Sequence, residues 1–512
     1  MMTKNEVLSM SRLWLVALLP FALFASHLSS LYSTLDPTSV AQHFAFYELY
    51  PTTEEGRLSL SHAWKLLSGE CSECDPTTIL PSLDARPIIA LVNRSSQESA
   101  PVLGEQQLAL IETLAKQLPN RKLKGHSIWS YDALVALEPH EIDVARSLLV
   151  AEGTLNQTAM RSYEASLDLM ALQILARLAP DASPLDKVRV MNDYIFSELR
   201  FRFPPHSLYA KEIDLYTLLP SVIDSRRGVC LGVSILYLSL AQRLDLSLEA
   251  ITPPGHIYVR YVADNGDITN IETTARGIDV PSEMYLSLET RKLQQRNLKE
   301  VIGLAFMNQA SVAWHQDNTK LAIELYEKGC QFLPGDPLIR TFLGFQYLFA
   351  REEKKADALL RGVQGAIPDH LIAQDPLVED YLAGRTDANG IQAIFQEVDS
   401  SRSSIVEKQK ELEGILTQYP LFRSGIFHLA VTHLQLGREK EAIPILERYM
   451  QIDRKNPTVC YYLAALSAQR LHYKAAWKYL REAQAIVEGR NASPRALDDL
   501  RATLQRACPE PL

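Results

Sequence analysis

Several things are scarce in this 512-residue chain, and each scarcity excludes something. Cysteine occurs six times. Only Cys71 and Cys74, in "GECSECDP", form a C-x-x-C pair. A structural zinc site needs a second such pair or a histidine pair at ligand spacing, and the sequence has neither. Cys71 and Cys74 therefore read as a local disulfide or two inert thiols, with a redox or metal role as the alternative. No metal or cofactor is expected. Basic excess is also lacking: the formal charge is −9, against a general nucleic-acid binder. Long apolar runs are missing too. The longest amino-terminal one, Leu13–Ala25, is well short of the about 20 residues a membrane-spanning helix takes.

That short run still carries information. Lys4 and Arg12 precede it, and no acidic or basic residue follows until Asp36. The pattern is that of a secretory h-region. Leu23 and Phe24 sit where a cleavage site prefers alanine, so residues 1–30 read as a signal peptide or an uncleaved signal-anchor. Either reading sends the protein out of the cytoplasm, periplasmic or membrane-anchored through 13–25. A buried first helix is the remaining alternative.

What is present is helical periodicity over most of the length. Residues 31–180 read as a mainly helical domain, from "TSVAQHFAFYELY", "GEQQLALIETLAKQL" and "TLNQTAMRSYEASLDLMALQILARL". "ARPIIALVN" reads as a short strand or extended segment. The last 200 residues repeat. Ala322 and Ala356, Pro334 and Pro368, and Ala442 and Ala476 are each 34 residues apart. The phase slips between the first pairs and the last, which places an insertion near 369–390. Each unit is two amphipathic helices with small residues, such as Gly344, Ala430 and Ala464, where helices cross. This plan resembles the tetratricopeptide repeat. About four units fill 300–490, and 491–512 reads as a tail. Such stacked repeats imply protein or peptide partners.

Residues 181–295 are different in kind. "PLDKVRVMNDYIFSEL" is an amphipathic helix, and "LYTLLPSVIDSRRG" a second that ends at the glycine. "VCLGVSILYLSLAQRL" is apolar on nearly every face, the mark of a helix buried on all sides. "SLEAI", "HIYVRYV" and "ITNIETT" read as strands, with His256 opening the second. Cys230 falls in the first turn of the buried helix. There unpaired N–H groups and the helix dipole favour an anion, and such placement can lower a thiol pKa from about 8.5 to roughly 3.5–7.5. Arg226 and Arg227 add positive potential if they face the sulfur. His256 is placed to act as general base and acid. Asn270 and Glu272 share one face of the next strand, either able to orient the imidazole.

"SRRGVCLGVSILYLSLAQRL", "PPGHIYVRY" and "NIETT" together resemble the transglutaminase-like superfamily of papain-type Cys-His-Asp folds. They are most similar to its bacterial SirB-like branch, in which that domain precedes tetratricopeptide repeats. The resemblance covers about 185–290 and leaves 1–180 untouched. It implies an α+β fold: a papain-like core between a helical amino-terminal region and a carboxy-terminal α-solenoid. It also implies Cys230 as nucleophile, His256 as base and Glu272 in the position usually held by aspartate. The implied chemistry is acyl transfer or amide hydrolysis (protease, deamidase or transamidase). The alternative is a catalytically inactive scaffold, since the branch includes members without the cysteine. A geometric condition follows. A two-residue Asn265-Gly266 hairpin would pair Val259 with Glu272 and turn the acid away from His256. A triad needs an odd-length or bulged connection, with Glu272 opposite Arg260 or another even-numbered residue.

Overall fold

The computed structural model describes residues 27–69, 84–204, 214–373, 375–399 and 401–510. The apolar run at 13–25 and the Cys71/Cys74 pair lie outside the described residues. Among the described residues no helix is long and apolar enough to cross a membrane. The described residues are mostly helical, with one small antiparallel sheet among them.

Two helices organise the middle of the molecule: α1 (Gln157–Leu175) and α2 (Cys230–Arg243). Every residue of α2 from Leu231 to Ala241 is buried. The uninterrupted apolar sequence is thereby accounted for: this helix has no solvent face. It packs on α1 and on the sheet. Gly232 is required by a close crossing, because a Cβ there would lie 2.2 Å from the Tyr216 carbonyl oxygen.

The sheet has strands β1 (Glu249–Thr252), β2 (Tyr258–Val262), β3 (Ile268–Ile271) and β4 (Gln294–Arg296), in the order β3-β2-β1-β4. The β2–β3 connection is odd in length. Ala263 N–H bonds the Asp267 carbonyl, leaving Asp264, Asn265 and Gly266 as a three-residue loop. Gly266 takes φ +88°, the left-handed position such loops favour for glycine. Arg260 consequently pairs with Asn270, and Val259 with Ile271. Glu272, just past β3, falls level with Tyr258 rather than Arg260, still on an even-numbered neighbour.

Four antiparallel helix pairs follow: α3 (Leu298–His315) with α4 (Thr319–Phe332), α5 (Pro337–Phe349) with α6 (Glu353–Val363), α7 (Arg423–Gln435) with α8 (Glu439–Ile452), and α9 (Pro457–Gln469) with α10 (Tyr473–Glu488). The alanines that mark the period, Ala322, Ala356, Ala442 and Ala476, are all fully buried. A larger side chain at any of them would push neighbouring helices apart. Helices at Leu377–Leu382, Ala388–Phe395 and Arg402–Gln418 interrupt the array between the second and third pairs.

Several expectations are corrected. Residues Arg86–Asn93 are helical, not extended: Pro87 starts the helix, and Ile88, Ile89 and Val92 bury one side. So short an apolar run has no period of its own to distinguish the two. The helix before the RRG turn ends at Ser225, with Arg226 rather than the glycine left-handed at φ 53°. His256 precedes β2 by two residues instead of opening it. Within 491–512, Arg495–Ala507 is an amphipathic helix against α10, sealed by Leu497 and Leu504.

Candidate active site

Cys230 is the first residue of α2. Its N-cap, Val229, has no side chain that could accept the first-turn N–H groups, so these keep their positive end directed out of the helix. One turn later on the same face, Ser234 Oγ meets Thr273 Oγ1 at 3.0 Å. That buried bond ties the start of α2 to the turn following β3, next to Glu272.

His256 and Glu272 share a 2.7 Å hydrogen bond between Nε2 and Oε2. Cys230 also acts electrostatically on this imidazole. With Nε2 held by the acid, Nδ1 is the nitrogen left for sulfur. Burial opposes a charged imidazole here, but Cys230 and the bonded Glu272 together outweigh it and raise the His256 pKa to about 9. Glu272 is fixed more firmly still. Its Oε1 accepts from Thr274 N–H at 3.0 Å and from Thr274 Oγ1 at 2.6 Å, and its Oε2 accepts from Tyr285 Oη at 2.5 Å. Burial raises its pKa, but the donors His256, Thr274 and Tyr285 overcome this and hold it down to about 2. The site remains open: a quarter of the His256 side chain (25%) is exposed, and Cys230 is half-buried.

The structure thus brings together Cys230, His256 and Glu272. The three auxiliary candidates are placed otherwise. Asn270 donates to the Val280 carbonyl at 2.7 Å and to Ser282 Oγ at 3.1 Å, and accepts from Arg260 Nε at 3.1 Å, so its amide braces a loop. Arg226 donates to the carbonyls of Leu199 and Arg94. Burial and the neighbouring Arg94 lower its pKa. The backbone of Arg227 bridges to Arg202.

Motif reading missed two groups. One is Tyr285, which has no fixed spacing from the cysteine or histidine. The other is a largely buried ionic cluster under α1 and α2. Fully buried Arg243 donates to Asp168 at 2.8 Å, and Arg121 bonds the other oxygen of Asp168. Arg146 holds Glu164 through Nε at 2.9 Å, and Asn120 and His126 hold Asp143 at 2.9 and 3.1 Å. His126, Asp143 and Glu164 have ligand atoms within 4.8 Å of one another, a spacing compatible with a metal. Arg146 already takes both oxygens of Glu164; burial raises the Asp143 pKa, but the His126 bond and the charge of Arg243 overcome it and hold that pKa down. Balanced acids and guanidinium groups make this an ion-pair network rather than a cation site. Its only sequence signal is charge inside otherwise apolar helical segments.

A family model of the transglutaminase-like superfamily matches residues 161–301. The match begins within α1, so the resemblance reaches further toward the amino terminus than the sequence reading of 185, and residues 161–180 are not untouched by it. No curated protein matches the chain. Among solved structures, MamA of AMB-1 is 17% identical, covering 38% of this chain and 96% of that one at a TM-score of 0.19. A thermophilic TPR protein of Thermus thermophilus, TTC0263, is 16% identical, with coverages of 40% and 98% and a TM-score of 0.20. PilF of Pseudomonas aeruginosa is 16% identical, with coverages of 42% and 95% and a TM-score of 0.19. The repeat reading rests on the 34-residue period and the four helix pairs themselves.

Proposed function

We propose that the protein is a cysteine-dependent acyl transferase or amide hydrolase of transglutaminase-like type, with Cys230 as nucleophile, His256 as general base and acid, and Glu272 as the residue that orients the imidazole. The observation that carries this is one imidazole bonded to a carboxylate that three other donors hold, with the helix-start Cys230 acting electrostatically on the same ring. Cys230 Sγ attacks the carbonyl carbon of an amide, and the sulfur–carbon bond forms as the carbonyl electrons move to oxygen. Collapse breaks the carbon–nitrogen bond, and the leaving amine takes the proton that His256 received from sulfur. Water then yields an acid and free thiol; an amine yields a new amide. First-turn N–H groups of α2, which no side chain caps, would serve as donors to the transient oxyanion.

The helix pairs support a second role, capture of protein or peptide partners. The apolar, uncharged stretch 13–25 supports an exported or membrane-anchored location. The competing reading, an inactive fold serving as scaffold, is separated by one measurement. Site-resolved alkylation of Cys230 by iodoacetamide is expected well below pH 8 and to be lost in His256→Ala. Labelling that ignores the substitution would favour the scaffold.

A further inference from the structure

We infer that Tyr285 is a positioning residue of this site, acting through Glu272; the inference rests on the proposed triad. Tyr285 ends a short 3-10 turn, Ser282–Tyr285. Its hydroxyl donates to the same Glu272 oxygen that accepts from His256 Nε2. Its ring stacks on His256, with centroids 5.8 Å apart and planes at 17°, and on buried Tyr258 at 4.5 Å and 18°. One side chain therefore fixes the acid by its hydroxyl and packs the imidazole by its face.

The need for such a residue follows from the acid's length. Glutamate has one more rotatable bond than aspartate, and each freely rotating bond dilutes the population that faces the imidazole. Thr274 pins one carboxylate oxygen and Tyr285 the other, so the extra freedom is removed. The segment carrying Tyr285 is itself held at both ends. Upstream, Ser282 Oγ accepts from Arg260 at 3.2 Å and Asn270 at 3.1 Å. Downstream, the Glu289 carbonyl accepts from Ile372 N–H at 2.7 Å, Glu289 Oε1 accepts from Thr458 Oγ1 at 2.5 Å, and Arg291 N–H donates to the His370 carbonyl at 2.9 Å. The helical array thus anchors the strap that presents Tyr285 to the acid.

The test is the rate of Cys230 carbamidomethylation by iodoacetamide at pH 6, resolved by peptide mass spectrometry in the full chain. The variants are Tyr285→Phe, Tyr285→Ala, Glu272→Gln, the Tyr285→Phe/Glu272→Gln double and His256→Ala. Tyr285→Phe keeps the stack and removes the hydroxyl, so labelling should slow about three- to tenfold, the range of one net hydrogen bond. Added to Glu272→Gln it should change the rate by less than about twofold, because the two act as one unit. Tyr285→Ala, which also removes the stack, should be slower than Tyr285→Phe. Wild-type labelling in Tyr285→Phe, or a full multiplicative loss in the double variant, overturns the role of Tyr285 while leaving the triad standing. Labelling unaffected by His256→Ala and Glu272→Gln overturns the triad, and the role of Tyr285 with it.

Discussion

His256 and His126 make the same kind of bond, imidazole to carboxylate, in two settings that assign it opposite uses. His126 meets Asp143 at 3.1 Å among charges that already balance: Arg121, Arg146 and Arg243 face Asp143, Glu164 and Asp168. Proton transfer there would leave one buried charge without its partner. His256 meets Glu272 at 2.7 Å with Cys230 acting electrostatically on the same ring and solvent at its edge. A proton can move between sulfur and ring without unbalancing a buried network. A histidine–carboxylate pair is therefore not a site by itself; what stands on the second ring nitrogen, and whether water or substrate can reach it, decides.

The strongest way to break this comparison is Asp168→Ala. Removal of that carboxylate leaves Arg243 sealed and unpaired, so the full chain should lose about 3–5 kcal/mol of unfolding free energy in denaturant titration. Glu272→Gln, beside a histidine that is a quarter exposed and with the bonds from Thr274 retained, should cost less than Asp168→Ala in the same titration. The reverse order would show that the buried cluster is not the structural one of the two.

Next in size is the effect on chemistry. His256→Ala should slow Cys230 alkylation at pH 6 by at least about tenfold, bringing it to the behaviour of an ordinary thiol. His126→Asn should leave that rate unchanged. A large effect from His126 would erase the distinction between the two pairs.

The pH dependence of stability sharpens it further. The folded-state pKa of His256, about 9, is above the ordinary 6.5. Its stabilising contribution is therefore complete below about pH 6.5 and disappears as pH rises through about 9. Glu272, held down to about 2, contributes above about pH 4.5 and loses that contribution as pH falls through 2. Subtracting the stability of His256→Gln from that of wild type between pH 6 and 10 should expose a decline on the order of 1 kcal/mol after solvent screening. A flat difference would mean that the imidazole gains nothing from its partners.

Smallest is the strap. Glu289→Ala removes the bond from Thr458 but keeps the backbone bond to Ile372, so Cys230 labelling should slow by less than about threefold and global stability change by less than about 1 kcal/mol. An effect as large as that of Tyr285→Phe would make the helical array a stronger determinant of the site than the contacts suggest.

Local pattern alone reveals much of this molecule. Ala322, Ala356, Ala442 and Ala476 disclose their helix crossings because steric exclusion acts at a fixed 34-residue interval. Cys230 could be placed at a helix start because a turn precedes it and an unbroken apolar segment follows. The face of Glu272 was constrained by parity: only an odd connection turns it toward His256, and Asp264–Asn265–Gly266 provides one. The helix at Arg86–Asn93 stayed ambiguous because eight mostly apolar residues fit either period.

The order of residues was enough to set the elements that depend on short-range sterics and on burial: the repeat array, the buried helix and the face on which the acid must lie. Which polar groups meet was left to the folded chain. Arg243 finds Asp168 across 75 residues, and Tyr285 reaches Glu272 from a strap anchored on distant helices. Such meetings leave no periodic trace, because a hydrogen bond depends on two atoms arriving within about 3 Å of each other and places no demand on the residues between them.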